Sequence, residues 1–242
     1  MLFALFLAAA TPTATAPPEL MKAIREQDVA KVQSMLEAEP SLLSAKSEKG
    51  VDAVTAALFI LINQESFLLP AKNRVLQLLL ARHPALDPWQ TAALGTPEQL
   101  AKLVDVNHID VMNQFGWTPL HYAAFGGNVP NVKWLLDHGA DMRLRAKTKF
   151  KNSPFLVATL TMDPDTVKLF LDRGADVLER QGEGDTALHE AAGTGDLAMV
   201  RLLVERGSDV NARDDAGMSA LDYAVQEKHD EVAAYLRSKG AK

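Results

Sequence analysis

The 242-residue chain contains no cysteine. Disulfide bonds and thiolate chemistry are therefore excluded, and so is a membrane anchor attached through a lipid-modified cysteine. The absence of thiols is compatible with an oxidising compartment but does not by itself place the protein in one.

Basic residues are also in deficit. The 25 Lys and Arg are outnumbered by 31 Asp and Glu, which gives a formal net charge of −6. Because nucleic-acid binding depends on clustered Lys and Arg that neutralise phosphates, this balance disfavours nucleic acid as the main partner.

Motifs that carry catalysis are missing as well. His189-Glu190 begins like a zinc-protease helix, but that motif needs a second histidine at position 193, which is Gly193. There is no Gly-x-Ser-x-Gly turn, no phosphate-binding loop and no dinucleotide-binding glycine pattern after a strand. The sequence therefore predicts no catalytic residue, no metal site and no cofactor. A buried pocket that gathers several titratable side chains would favour an enzyme or a small-ligand carrier instead.

The longest apolar run near the N-terminus, Leu2 to Ala10, is nine residues and too short to span a bilayer. Its length suits the hydrophobic region of a signal peptide, and both Ala8-Ala9-Ala10 and Ala14-Thr15-Ala16 offer small residues for cleavage. The first site is favoured, because Pro17 would follow the second. Residues 1–18 are thus read as a signal-peptide-like segment and linker, which predicts a periplasmic or secreted protein. No Lys or Arg precedes the run, so a disordered tail or a misplaced start, with a cytoplasmic protein, is the alternative.

What the sequence does contain is a repeat. Hydroxyl residues that can cap a helix occur at Thr118, Ser153, Thr186 and Ser219, at spacings of 35, 33 and 33 residues. Glycines that can end a helix follow the same spacings, at positions 139, 174, 207 and 240. Each unit reads as two short helices, with a break at Gly126-Gly127 in the first.

The stretch from Gly184 to Asn211, GDTALHEAAGTGDLAMVRLLVERGSDVN, resembles the ankyrin repeat. The resemblance is strong from about Gly116 to Lys242. It implies an all-α solenoid of about seven helix pairs, joined by projecting β-hairpin fingers, that binds other proteins. It also implies that His121 and His189 are structural, forming hydrogen bonds near a helix start.

The predicted ankyrin repeat domain covers residues 19–242. Residues 19–112 hold a capping pair, a divergent pair over 50–63 and 74–83, and a degenerate pair over 87–106. Residues 113–242 hold four better-matching repeats. We expect a continuous core stripe along the outer helices, formed by four neighbouring pairs: Trp134 and Leu135, Leu169 and Phe170, Leu202 and Leu203, Tyr235 and Leu236.

The resemblance places partner contacts on the finger tips and on the exposed ends of the inner helices, which line the concave face. Aromatic residues at a projecting tip are typical interface anchors, although Phe115 or Trp117 packing against the neighbouring finger is the alternative. The predicted contact residues are Phe115, Trp117, Phe125, Arg143, Arg145, Lys147, Lys149, Phe150, Asn152, Leu160, Glu183, Asp185 and Met218, with Asp215 beside them.

One finger is strongly basic. Residues 141–151 carry five cations against Asp141, a local charge of +4, whereas residues 176–185 of the next finger carry −3. We expect the basic finger to engage an acidic patch on a partner protein and to steer association. Pairing between neighbouring fingers is the alternative, and it would contribute little stability on an exposed surface.

These observations favour a monomeric, non-enzymatic protein-binding module with no membrane span. An inhibitor or immunity-type protein that blocks the active site of one enzyme is the second reading. A tight one-to-one complex that abolishes an activity would favour the inhibitor, whereas several weak clients would favour the general binding module.

Overall fold

A computed structural model describes residues 15–59, 61–62, 66–67, 73–148, 151–161 and 163–242. Within these residues the chain is helical and divides into two compact units between Ala85 and Leu86. The described helices are α1 Pro18–Arg25, α2 Val29–Ala38, α3 Ala53–Leu58, α4 Arg74–Leu80, α5 Pro88–Leu94, α6 Pro97–Leu100, α7 Pro119–Phe125, α8 Val129–Asp137, α9 Pro154–Leu160, α10 Pro164–Asp172, α11 Ala187–Thr194, α12 Leu197–Glu205, α13 Ala220–Gln226 and α14 Asp230–Ser238. The predicted all-α architecture is confirmed, with seven helix pairs in the described residues.

The first unit packs two helix pairs. Helix α1 contacts α2 and α3, and α4 contacts α2 and α3. The backbone N–H of Ala16 donates to the carbonyl of Lys46 at 2.9 Å, and Ala16 is buried, so the end of the predicted linker lies against this unit.

The divergent pair corrects one expectation. The helix predicted to run to residue 63 ends at Leu58, and a strand at Leu61–Ile62 pairs antiparallel with Ser66–Phe67. Short apolar runs fit a buried helix and a strand equally well by periodicity, so the pattern alone did not separate the two.

The second unit is a stack of two helical layers. The inner helices α5, α7, α9, α11 and α13 contact one another in order, and the outer helices α6, α8, α10, α12 and α14 do the same. Each inner helix also packs against the outer helix that follows it. Contacts therefore link each helix pair mainly to its nearest neighbours, as in a repeat stack.

Local sequence fixes where these helices begin and end. The Thr118 hydroxyl accepts the backbone N–H of His121 at 3.4 Å, and Pro119 occupies the first helical position, where no N–H is needed. Asn128 caps α8 in the same way. The chain then turns at Gly139, whose φ of +91° is a left-handed conformation that glycine adopts without steric cost.

The outer helices contribute fully buried side chains in every repeat, and four of these belong to the predicted stripe. Leu135, Phe170, Leu203 and Leu236 are each 0% exposed. Their predicted partners Trp134, Leu169 and Leu202 are half-buried at the edge of the stripe, and Tyr235 is buried. The chain at the end of α7 lies close to α5, because a Cβ on Gly126 would lie 2.5 Å from the carbonyl oxygen of Ala93.

None of the helices in the described residues combines the length and apolar character that crossing a bilayer requires.

Candidate protein-binding surface

Four loops of the second unit project between successive helix pairs, and we call them fingers 1 to 4. The same backbone hydrogen bond closes each one: the first residue donates its N–H to the carbonyl of the last residue at 2.9–3.0 Å. The fingers are residues 113–117, 146–152, 181–185 and 214–218. In finger 2, residues 149 and 150 lie outside the described part.

Arginines join the bases of fingers 2, 3 and 4. The Arg145 guanidinium donates to the carbonyl of Lys151 at 3.0 Å in its own finger and to that of Arg180 at 2.8 Å in the next. Arg180 repeats the arrangement with Gly184 at 2.8 Å and Arg213 at 2.7 Å. These bonds hold neighbouring fingers in a fixed register.

Finger tips also contact each other. The Lys147 N–H donates to the carbonyl of Gly116 at 3.0 Å, and the Asp215 N–H donates to that of Glu183 at 3.2 Å. Such links reduce the freedom of the loops before any partner arrives, which lowers the entropic cost of binding.

The two repeat histidines tie inner helices to the following finger. The His121 Nδ1 accepts the Thr118 N–H at 3.2 Å, and its Nε2 lies 3.1 Å from the carbonyl of Asn152. His189 is arranged likewise, with Nδ1 on Thr186 and Nε2 near two carbonyls of finger 4. Both side chains are buried, and burial lowers the pKa of His121 to about 4. These roles are structural, as the sequence resemblance implied.

The repeat that begins at Ser153 has Leu156 in place of the histidine. There the Ser153 hydroxyl donates to Glu179 Oε2 at 2.7 Å, and Glu179 Oε1 pairs with Arg145 at 2.9 Å. Burial raises the pKa of the Glu179 carboxyl, while Ser153 and Arg145 oppose that shift. A carboxylate from the next repeat thus replaces the missing histidine as the partner of the helix cap.

Several predicted contact residues have exposed or half-exposed side chains. Phe115 is 37% exposed on the projecting loop of finger 1. Trp117, Leu160, Asp185 and Met218 are half-buried, whereas Arg143, Arg145, Lys147 and Glu183 are exposed. Lys149 and Phe150 lie outside the described residues.

Two predicted contact side chains are corrected by their burial. Phe125 is 1% exposed and packs edge-on against the ring of Trp117, with 5.7 Å between centroids. Asn152 is 7% exposed, and its carbonyl serves finger 2 and His121. Both side chains are therefore structural and are not available to a partner.

Trp117 packs within its own repeat. Its ring lies 5.7 Å from those of His121, Tyr122 and Phe125, so it supports the base of finger 1.

The basic finger is partly neutralised by its neighbour. The Arg145 pair with Glu179 joins the bases of fingers 2 and 3, so this cation stabilises the stack. Arg143 is different: its side chain is 87% exposed and its nearest carboxylate, Asp141, lies 3.4 Å away. Lys147 is also exposed. Pairing between neighbouring fingers therefore accounts for Arg145, whereas Arg143 and Lys147 remain exposed.

The opposite charge lies on the inner helices α11 and α13 and the fingers beside them. The Tyr223 hydroxyl donates to Asp214 at 2.6 Å, and Gln181 bridges Asp185 at 3.1 Å and Glu190 at 2.8 Å. Burial raises the pKa of the Glu190 carboxyl. No group of three residues suited to holding a metal ion occurs in the described part of the chain.

Comparison with known sequences agrees with this geometry. A family profile described as ankyrin repeats in three copies matches residues 71–181 and 155–242. The chain belongs to the ankyrin repeat family. Ankyrin repeats are generally protein–protein interaction modules, and the family is typically non-enzymatic.

Curated relatives match part of the chain. Ankyrin repeat and SAM domain-containing protein 6 of Rattus norvegicus is 39% identical over 82 residues, which is 33% of this chain and 9% of the relative. The transient receptor potential cation channel subfamily A member 1 homolog of Caenorhabditis elegans is 32% identical over 159 residues, or 65% of this chain and 13% of the relative. The chain thus spans a small fraction of the length of these ankyrin repeat proteins.

Sequence reasoning did not identify the arginines that join the ankyrin fingers. Arg145, Arg180 and Arg213 are spaced by 35 and 33 residues, the step of the repeat itself. This periodicity could have predicted that the three arginines play the same structural role in successive repeats. Interpreting them only as surface charge missed it.

Proposed function

We propose that this protein is a monomeric, non-enzymatic binding module that binds a partner protein through the tips of its fingers. The observation that supports this most directly is that the fingers are linked into a row: backbone bonds at the tips join Gly116 to Lys147 and Glu183 to Asp215, and Arg145 joins the bases of fingers 2 and 3. A row held in this way presents side chains in fixed positions, as interface surfaces require.

The side chains along that row are chemically diverse. Phe115 supplies an exposed aromatic group at finger 1, Lys147 a cation at finger 2, and Glu183 and Asp215 carboxylates at fingers 3 and 4. An aromatic anchor next to charges of both signs suits a protein surface that offers an apolar pocket and complementary charges. In this arrangement Lys147 meets the acidic patch of the partner.

The test replaces exposed tip residues and leaves the bridging arginines intact. The tip variant combines Phe115→Ala, Lys147→Glu and Asp215→Asn, and its control carries Lys168→Glu on the exposed side of α10. Both tagged proteins are used to capture partners from the source cells, and captured proteins are purified for titration. We expect the control to bind like the wild type and the tip variant to bind at least about tenfold more weakly.

Salt dependence separates steering from anchoring. Because Lys147 attracts the partner over a distance, Lys147→Glu alone should slow association most at low ionic strength, whereas Phe115→Ala should speed dissociation at all ionic strengths. Equal affinity of the folded tip variant and the wild type for every captured partner would reject the proposal.

We further propose that the protein is exported and cleaved after Ala10. Ala16 is buried and bonded to Lys46, so cleavage at the alternative site after Ala16 would remove a residue that packs on the first unit. Mass determination of the mature protein should place its N-terminus at Thr11 in the periplasmic or secreted fraction. An intact N-terminus in the cytoplasmic fraction would contradict export.

A further inference from the structure

Four residues occupy one equivalent position, just before the bases of the fingers: Asp110, Arg143, Leu178 and Asn211. At the two ends of this series the side chain ties its repeat to the next. Asp110 Oδ1 accepts the backbone N–H of Asp141 at 3.1 Å, and Asn211 Oδ1 accepts that of Lys242 at 3.0 Å. Both bonds reach 31 residues along the chain.

The two middle positions cannot make this bond. Arginine has no side-chain acceptor and leucine has no polar group, so neither can accept the corresponding N–H of Asp176 or Asp209. The backbone is nevertheless the same, because the N–H of Arg143, Leu178 and Asn211 each donates to the aspartate two residues earlier at 2.9 Å. The difference therefore lies in the side chains alone.

Both replacements project into solvent. Leu178 is 50% exposed, and the side chain of Arg143 is 87% exposed. A single exposed leucine on a protein surface is ordinary. Leu178, however, occupies the position at which the next repeat has Asn211, whose side chain stabilises the stack. The exposed leucine therefore takes the place of a stabilising polar side chain.

Arg143 and Leu178 occupy equivalent positions in two successive repeats, and residues next to them are bonded to each other. Arg145, two residues after Arg143, donates to the carbonyl of Arg180 at 2.8 Å, and Arg180 is two residues after Leu178. The Arg145 guanidinium also pairs with Glu179, the residue after Leu178, at 2.9 Å. We call the exposed pair Arg143 and Leu178 the finger-base surface.

We propose that the finger-base surface is a second docking site, separate from the tips, for an extended segment of a partner protein that carries a carboxylate next to an apolar side chain. The Arg143 guanidinium binds the carboxylate through paired hydrogen bonds, for which its planar fork is suited. Leu178 packs on the apolar side chain. Asp141 competes weakly for Arg143, because that pair is exposed and long.

The chemistry explains why these two residues occur together. A carboxylate alone would be satisfied by any of the lysines of finger 2, and an apolar group alone would need a larger patch. A cation and a leucine from successive repeats in fixed register instead recognise a short acidic–apolar motif. The proposal goes beyond binding at the tips and does not depend on it.

The test uses a phage-displayed library of random twelve-residue peptides selected on the whole protein. Enriched peptides are synthesised and titrated against Leu178→Asn, Arg143→Glu, the tip variant and Val225→Asn. Val225 is a matched control, because it is also 50% exposed and apolar but lies at the end of α13.

We expect the selected peptides to share an acidic residue beside an apolar one. They should lose about tenfold or more in affinity for Leu178→Asn and Arg143→Glu, and bind the tip variant and Val225→Asn like the wild type. Leu178→Asn should also unfold at an equal or higher urea concentration, since Asn can restore the bond to Asp209. Loss of binding without loss of stability excludes a folding defect as the cause.

Three results would overturn the proposal: no enriched peptides, enriched peptides without the acidic–apolar pair, or equal binding to Leu178→Asn and the wild type. Because the tip variant is titrated in parallel, failure here is distinguished from failure of binding at the tips.

Discussion

His121→Leu removes a buried side chain that connects the start of α7 to finger 2. The Thr118 N–H loses its acceptor Nδ1, whereas the carbonyl of Asn152 loses the Nε2 donor but keeps the N–H of Ala146 at 2.9 Å. Leaving a buried polar group unpaired costs about 1–3 kcal/mol. The variant should therefore be less stable by about that amount at pH 7.5, although leucine itself fits this position, as Leu156 shows in the next repeat.

The same substitution changes how stability depends on pH. The ordinary histidine pKa of 6.5 falls to about 4 in the folded protein because burial disfavours the charged ring. Below pH 6.5 His121 is protonated in the unfolded chain but stays neutral in the folded protein. This histidine therefore makes the free energy of unfolding fall as the pH is lowered towards 4. The full loss of stability from this one histidine, reached once the pH is below 4, amounts to roughly 3 kcal/mol.

The assay is urea unfolding followed by helical circular dichroism between pH 4.5 and 7.5. Carboxylates contribute equally to both proteins, so the difference between wild type and His121→Leu isolates the histidine. That difference should shrink by roughly 2 kcal/mol between pH 7.5 and 4.5. His108→Leu is the control, because His108 is exposed and its pair with Asp105 lies at the surface, so this substitution should change stability and its pH dependence much less than His121→Leu does. A wild-type advantage of His121 that stays constant over this range would refute the reasoning.

Two further predictions concern the stack. Phe170→Ala removes a side chain that is 0% exposed and should lower the free energy of unfolding by about 3–5 kcal/mol. Phe115→Ala removes one that is 37% exposed and should change the free energy of unfolding little. Equal urea midpoints for the two variants would contradict the assigned core. Arg180→Met keeps much of the side-chain length but removes the bonds to the carbonyls of Gly184 and Arg213. Amide hydrogen exchange in fingers 3 and 4 should then accelerate while finger 1 stays unchanged, and uniform exchange along the second unit would argue against a link between neighbours.

Helix starts and stops were predictable from the sequence because they depend on local chemistry. Thr118, Pro119 and Gly139 each act through their own backbone preferences, and the structure places them as expected. The buried stripe at Leu135 and Phe170 followed from helical spacing for the same reason.

Contacts between repeats were harder to foresee. Phe125 and Asn152 occupy positions that look variable along the chain, yet the packing of Trp117 and the closure of finger 2 bury them. Arg145 reads as surface charge, but its use is set by carbonyls 6 and 35 residues away. Such roles depend on which loops become neighbours, and a linear pattern records this only through the repeat period.

Binding at the finger tips is tested most directly by amide hydrogen exchange of the protein, free and in complex with a purified partner. The account predicts that protection on binding concentrates in residues 114–117, 147–148, 182–185 and 214–218, with little change in α8, α10 and α12. Protection confined to those outer helices, with the tips exchanging as in the free protein, would contradict it.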